Sequence, residues 1–437
     1  MKTETLSILA DHKKLGSVDY SNDKLSFRYE QSWLMSDDAY PLSVSMPLSE
    51  SEHPHEVIEA YLWGLLPDNN ETLARYGNQF QVSSRNVFRL LQHMGADCPG
   101  IIQIIKVENE PLLLDKEHTL SSYDDQVEWL TANGLAELIQ SIKEDNGLQR
   151  MDASQGQFSL AGAQPKTALY RCPNTARWGV PKSSGIVPTT HILKPALGEY
   201  AGMAENEHFC LKLAGALGLK TASSEVIQCG DIPVIVVERY DRLLLKDRFT
   251  RIHQEDFCQA RAILPQLKYE SDGGPSVQDL AETIWEVSGS AHNDICTLAD
   301  ALILNYLIFG TDAHAKNYSL LYTGSEIKLA PLYDIVSALP YPKKINPYKA
   351  RMAMKIGSNY KFQKVELRHW EACAKQLKLK PAYLLGRLET ISVEIKHKAK
   401  SVAGELRDGG LDHPVIQLLS ERIGERSEET LTKYFSK

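Results

Sequence analysis

Gly310-Thr311-Asp312-Ala313-His314-Ala315-Lys316-Asn317-Tyr318-Ser319 is the stretch that decides the fold. It follows an apolar run, Ala301 to Phe309, which predicts a buried helix running into a polar loop. Asp312 and Asn317 are five residues apart. In such a loop an aspartate can accept or orient the proton of an attacking hydroxyl. An asparagine can hold a divalent cation as a neutral oxygen ligand, adding no negative charge beside an anionic substrate. Seventeen residues later Asp334 stands just past a short apolar strand, Ile327 to Ala330, where a second carboxylate suits the same cation. A single loop aspartate is usually a cap or turn residue. Two aspartates and an asparagine in this order, behind a buried helix, favour chemistry. His314 and Lys316 stay open between solvated loop residues and nucleotide contacts.

The spacing is that of the catalytic Asp and metal-binding Asn of protein kinases, with Asp334 where their second metal-binding Asp stands. Ile335 follows it instead of Phe. The nucleotide side is less ordinary, with neither a Walker A motif nor a G-x-G-x-x-G loop. Phe158 to Thr167 is the candidate phosphate loop, because small residues at 161–163 let backbone N–H groups approach phosphate oxygens. A plain hairpin is the bland alternative. Lys194 ends the apolar strand Thr189 to Lys194, where a lysine would neutralise α- and β-phosphates. Glu205 and Glu207 on the next helix could both pair with it, and position favours Glu207. Val234 to Arg242 is an apolar strand that turns abruptly polar, the place for a hinge reading adenine, with Tyr240 flanking the base.

Working outward, strands are expected near 6–9, 25–29 and 42–46, then helices over 54–93 broken at Leu65 to Asn69, then a strand at 101–105. An amphipathic helix is expected at 131–143, and strands at 157–170, 188–194, 225–229 and 233–239 with a helix at 203–217 among them. Helices follow at 276–288, 293–309, 366–377, 381–402 and 413–435. The expected fold is α+β: a two-lobed, protein-kinase-like core with a strand-rich first part and an all-helical C-terminal lobe, plus an extra N-terminal domain. The expected boundaries are 1–110, a connecting segment 111–150, a nucleotide-binding part 151–242 and a catalytic lobe 243–437.

The chain has 437 residues, 43% hydrophobic and 24% charged, with net charge −8. That acidity argues against binding nucleic acid through bulk charge. The N-terminus lacks a signal-peptide pattern and no run is long enough to span a bilayer, so a cytoplasmic protein without a membrane partner is expected. Seven dispersed cysteines predict reduced thiols with no zinc site.

Taken together, Ser159 to Leu169, His191 to Lys194, Asn206 to Cys210, Val237 to Arg242, His253 to Gln259, Tyr269 to Pro275, Thr311 to Asn317 and Tyr333 to Ile335 closely resemble the HipA family of bacterial serine/threonine kinase toxins. Pro41 to Leu48, Leu65 to Asn69 and Gly95 to Gly100 fit its N-terminal domain. The resemblance implies ATP and Mg²⁺ as cofactors, Asp312 as catalytic base, and Asn317 and Asp334 as metal ligands. It implies ATP contacts from Ala161, Gly162, Ala163, Gln164, Pro165 and Lys166, from Lys194, and from Glu238, Arg239 and Tyr240. His314, Ala315, Lys316 and Tyr333 would lie nearby. Ser159 matches the family's autophosphorylation site; about two added negative charges there would repel ATP and inactivate the kinase. The family further implies a HipB-like antitoxin dimer, operator DNA contacted mainly through it, corepression, and a protein substrate among aminoacyl-tRNA synthetases, notably glutamyl-tRNA synthetase, with growth arrest or persistence. The alternatives are a small-molecule kinase of aminoglycoside or choline type and a non-catalytic repressor subunit.

Overall fold

The computed structural model describes residues 3–114, 118–144, 162, 164–182, 185–196, 198, 200–324 and 326–436. The chain forms two compact units. The first contains Met1–Pro195, Gln228–Gln266 and Leu320–Glu326; the second contains Ala196–Ile227, Leu267–Ser319 and Ile327–Lys437.

The first unit opens with an antiparallel sheet of five strands: β1 (Glu4–Ala10), β2 (Lys13–Ser21), β3 (Lys24–Tyr29), β4 (Glu52–His53) and β5 (Ile102–Lys106). Their order is β4-β3-β2-β1-β5. β3 alternates strictly: Leu25, Phe27 and Tyr29 are buried while Lys24, Ser26 and Arg28 are exposed, the period-two pattern of a one-sided sheet. Gly16 lies where β2 crosses Phe27; a Cβ there would sit 2.5 Å from Arg28 O, so no larger residue fits. One apolar core joins this sheet to the helices His55–Leu65 and Val87–Met94 through Leu6, Val18, Phe27, Tyr61 and Phe88.

The expected strand at 42–46 does not form; Ser43 and Met46 make only an isolated bridge. Pro41 and Pro47 bracket the segment. The Tyr29 hydroxyl accepts Leu42 N–H at 2.8 Å and also donates to Met46 O, and the Ser43 hydroxyl supports Ser45 N–H. Side chains satisfy the polar backbone there, so the chain turns although Leu-Ser-Val-Ser-Met alternates like a strand.

A second sheet follows: β6 (Val127–Trp129), β7 (Thr167–Arg171), β8 (Trp178–Pro181), β9 (His191–Pro195), β10 (Ser224–Cys229) and β11 (Ile232–Glu238). Their order is β10-β11-β9-β7-β8-β6. β9 is central, pairing antiparallel with β11 and β7.

The second unit carries the helices Met203–Ala216, Val277–Val287, Ala291–Leu307, Leu367–Gln376, Pro381–Asp408 and Pro414–Phe435, close to the expected spans. Sequence chemistry marks their starts. Ser276 and Asp279 form a capping box, and Pro381 and Pro414 occupy first-turn positions where a missing N–H costs nothing. The chain beyond residue 243 is not wholly helical: Glu326–Leu329, Arg351–Ile356 and Asn359–Lys361 are strands, the last two an antiparallel hairpin. Among the described residues no helix is long and apolar enough to cross a membrane.

Candidate active site

The second unit builds the loop that decided the reading. Helix Ala291–Leu307 ends, Phe309 takes a left-handed φ of 59°, and the chain reverses into Gly310. A Cβ at Gly310 would sit 2.4 Å from Asn305 Oδ1, so glycine is required. Gly310 N–H donates to Asn305 O at 2.8 Å. The Asn305 amide donates to Ala301 O and to the Tyr318 hydroxyl, tying the loop's exit to the helix that precedes it.

Inside the loop Asp312 is exposed while His314, Ala315, Lys316 and Asn317 are buried. The chain folds back so that Asp312 O receives two donors, His314 N–H at 2.9 Å and Asn317 Nδ2 at 3.0 Å. Asn317 N–H closes onto His314 O at 2.9 Å. With its NH₂ committed to Asp312 O, the Asn317 carboxamide turns its oxygen away from that carbonyl, free to accept or to ligate. The Tyr333 hydroxyl donates to Lys316 O at 2.7 Å and meets Ser319 Oγ at 2.6 Å, pinning the segment that carries Asp334 to the loop. Asp334 itself has φ 57°. Aspartate tolerates the left-handed region better than most residues, but a strained backbone persists only where its surroundings enforce it, commonly at functional sites.

Among the described residues no three His, Cys, Asp or Glu side chains gather as a metal cage. Asn317 and Asp334 offer two oxygen donors. That set fits Mg²⁺, which takes one or two protein ligands and fills its octahedron with water and phosphate oxygens.

The first unit holds most of the residues that sequence reasoning expected beside a nucleotide. Ser159, Ala161 and Ala163 lie outside the described residues. Gly162 has φ 103°, and a Cβ there would lie 2.5 Å from Lys166 Nζ, so the Lys166 amine folds over a position only glycine can occupy. Gly162 also bridges Pro67, and Asp68 N–H donates to Gly162 O at 3.2 Å. The turn Leu65 to Asn69, read as a helix break, thus touches the candidate phosphate loop. Gln164 is half-buried and Pro165 buried ahead of β7. Lys194 is buried in β9 opposite Ile235 of β11. Glu207 is buried in Met203–Ala216 of the other unit.

Glu238 ends β11, exposed, opposite His191. Expected at the nucleotide, the Arg239 side chain is instead enclosed. Its five N–H groups are all engaged: Nε and Nη2 by Asp241, Nη1 by Asp97 and Thr189, and Nη2 also by Cys98 O. Arg242 bonds Asp97 at 2.9 Å and Gly100 O at 2.8 Å, and Arg251 reaches Asp97 at 3.4 Å. Burial alone would raise the Asp97 carboxyl, but Arg242, Arg239 and Arg251 hold it well below the usual carboxylate range. Burial, with Arg239 repelling it, lowers Arg242 to about 10. The Gly95 to Gly100 loop thus clasps the turn beyond β11. The Tyr240 hydroxyl donates to Gln254 Oε1.

The charges of Gly95 to Gly100 and Glu238 to Arg242 amid apolar runs were the signal for this cluster, and sequence reasoning assigned Arg239 elsewhere. It also left Asn305 and Tyr269 without roles. Tyr269, from the Tyr269 to Pro275 segment, donates its hydroxyl to Asp312 Oδ1.

Residues 6–105 match the model of the HipA N-terminal domain, and residues 158–402 match that of the HipA-like C-terminal domain. Y4mE of Sinorhizobium fredii, which carries a kinase name, is 33% identical over 380 residues, 86% of each chain. The serine/threonine-protein kinase toxin HipA of Shewanella oneidensis is 29% identical over 375 residues, 82% of this chain and 80% of that protein. A solved complex of Shewanella oneidensis HipA, HipB and operator DNA contains a chain that superposes with a TM-score of 0.78 at 23% identity, covering 97% of each. That likeness shows a common fold.

Proposed function

Since the chain belongs to the HipA family, we propose that it transfers the γ-phosphate of ATP to a protein serine or threonine. One observation carries the reading: the loop that exposes Asp312 also turns the Asn317 carboxamide oxygen away from the Asp312 carbonyl, and Tyr333 ties the strained Asp334 to that loop.

The acceptor oxygen attacks the γ-phosphorus, the bond to the ADP oxygen breaks, and Asp312 takes or orients the hydroxyl proton. Asn317 and Asp334 would hold Mg²⁺, which when bound neutralises charge on the phosphates. Lys194, Lys166 and the N–H groups of residues 161–164, with Pro165 beside them, take the phosphate oxygens, and the backbone at 238–240 reads adenine, with Tyr240 against the base. His314, Ala315, Lys316 and Tyr333 are the second unit's candidates for contacts to the nucleotide. Phosphorylation of Ser159 would place about two negative charges beside that loop and switch the kinase off. The partner is a HipB-like antitoxin dimer, with operator DNA held mainly through it and this chain acting as corepressor. The protein substrate is an aminoacyl-tRNA synthetase such as glutamyl-tRNA synthetase, the protein acting as a cytoplasmic toxin.

Intact and peptide mass spectrometry after incubation with Mg-ATP tests the reading, with Asp312→Asn as control. One phosphate gained at Ser159 in the wild type alone supports both transfer and self-inactivation. No transfer to the chain or to a synthetase panel sinks the kinase reading. Equal transfer by the variant removes Asp312 from its role.

A further inference from the structure

Tyr269 lies 43 residues before Asp312, yet its hydroxyl donates to Asp312 Oδ1. Its ring stands edge-on to His314, centroids 5.1 Å apart at 84°. Tyr269 therefore touches the decisive loop at two points, one polar and one aromatic.

The segment around it is stiff. Tyr269 O accepts both Asp272 N–H and Gly274 N–H at 3.0 Å, closing a tight turn. Gly273 takes a left-handed φ of 96°, and a Cβ at Gly274 would lie 1.9 Å from Leu267 O. Both glycines are thus demanded by the turn. From the next residue Glu270 reaches strand Arg351–Ile356, accepting Lys355 N–H at 2.7 Å and pairing with Lys355 Nζ at 3.2 Å. Nothing in the phosphate transfer described above needs this scaffold; what it fixes in space is Tyr269.

Asp312 is exposed, and a free carboxylate on a loop rotates about χ2 and presents either oxygen. A donor on Oδ1 removes that freedom. Transfer needs one oxygen aimed at the acceptor hydroxyl.

We propose that Tyr269 is a positioning residue for phosphate transfer, holding Asp312 through Oδ1 so that Oδ2 faces the acceptor hydroxyl. This rests on Asp312 being the base, and the test separates the two claims. Tyr269→Phe keeps the ring and removes only the hydroxyl. The full-length variant is compared with wild type and Asp312→Asn in Mg-ATP turnover and self-phosphorylation, and in affinity for a fluorescent ATP analogue. The expected result is a fall in kcat of about 10-fold or more with nucleotide affinity unchanged. A kcat equal to wild type overturns the proposal. An active Asp312→Asn overturns the base assignment instead.

Discussion

Asn206 holds both backbone polar groups of Ser337: its Oδ1 accepts Ser337 N–H at 3.0 Å and its Nδ2 donates to Ser337 O at 2.8 Å. The Ser337 hydroxyl donates to Ile308 O at 2.6 Å. Three pieces of the second unit therefore converge on one residue: the helix bearing Glu207, the segment following Asp334, and the chain just before the Asp312 loop.

Asn206→Ala removes the amide and leaves a buried N–H and a buried carbonyl without their partner. Each buried group so stranded costs about 1–3 kcal/mol. Urea unfolding should show a loss of about 2–4 kcal/mol, with phosphate transfer falling further than the fold does because Asp334 and Glu207 lose their common anchor. Transfer intact in a destabilised variant would confine Asn206 to stability.

Asp97→Asn should be among the most damaging single changes in the first unit. Arg239 and Arg242 would then share Asp241, and Arg251 would lose its ion pair with Asp97, leaving uncompensated positive charge in the interior. Removing one partner of a buried ionic group costs about 3–5 kcal/mol. Because the Asp97 carboxyl is held below its ordinary range, its contribution is present above the unfolded pKa and fades as pH falls. The loss is checked by denaturant unfolding at pH 7 and at about pH 3, below the ordinary carboxyl pKa, and should shrink at the lower pH.

Asp334 distinguishes backbone from side chain. At φ 57° asparagine is tolerated nearly as well as aspartate, whereas alanine pays about 1 kcal/mol for the left-handed conformation. Asp334→Asn should therefore unfold close to wild type and Asp334→Ala about 1 kcal/mol earlier. Both should lose phosphate transfer by about 100-fold or more, since the carboxylate proposed to hold Mg²⁺ is gone in each. An active asparagine variant would show that the position needs only an oxygen.

The fold was legible where chemistry is local. The order of strands and helices followed from hydrophobic period, and the loop Gly310 to Ser319 announced itself because its residues act at fixed spacing within one turn. What escaped was set by partners far along the chain. Asp97 meets Arg242 145 residues on, Asn206 meets Ser337 131 residues on, and Tyr269 meets Asp312 43 residues on. No spacing rule reaches such pairs. The enclosure of the Arg239 side chain was hidden for the same reason: its neighbours Glu238 and Tyr240 do not reveal that Asp97 faces it. Leu42 to Met46 failed differently, its alternation being overridden by two prolines and by the hydroxyls of Tyr29 and Ser43.

Glu255 gives the first unit a pH dependence near neutrality. It is buried, and desolvation pushes its carboxyl up to about 7 against the pull of Ser43, Tyr322 and Val44 N–H, with Asp256 raising it further. Val44 N–H reaches Oε1 at 2.9 Å, joined there by the Tyr322 hydroxyl, while the Ser43 hydroxyl meets Oε2. The ring of His253 stacks beside Tyr40 and Tyr322, and burial holds that imidazole near pKa 4, hence neutral in this range. With a folded pKa above the unfolded value of 4.5, the native chain keeps a proton that the unfolded chain releases. This contribution is complete below the unfolded pKa and is lost as pH rises towards and through 7, an effect on the order of 2–3 kcal/mol. Glu255→Gln abolishes the titration. Its Oε1 keeps the two donors, and its Nε2 can donate to Ser43 Oγ once that hydroxyl turns to Gln259 O, 3.2 Å away. Melting temperatures from pH 5 to 8 should therefore show wild type losing stability relative to Glu255→Gln as pH rises, with the gap widening from about pH 5 and levelling off above about pH 7. Parallel curves would mean that Glu255 is ionised in the folded protein throughout.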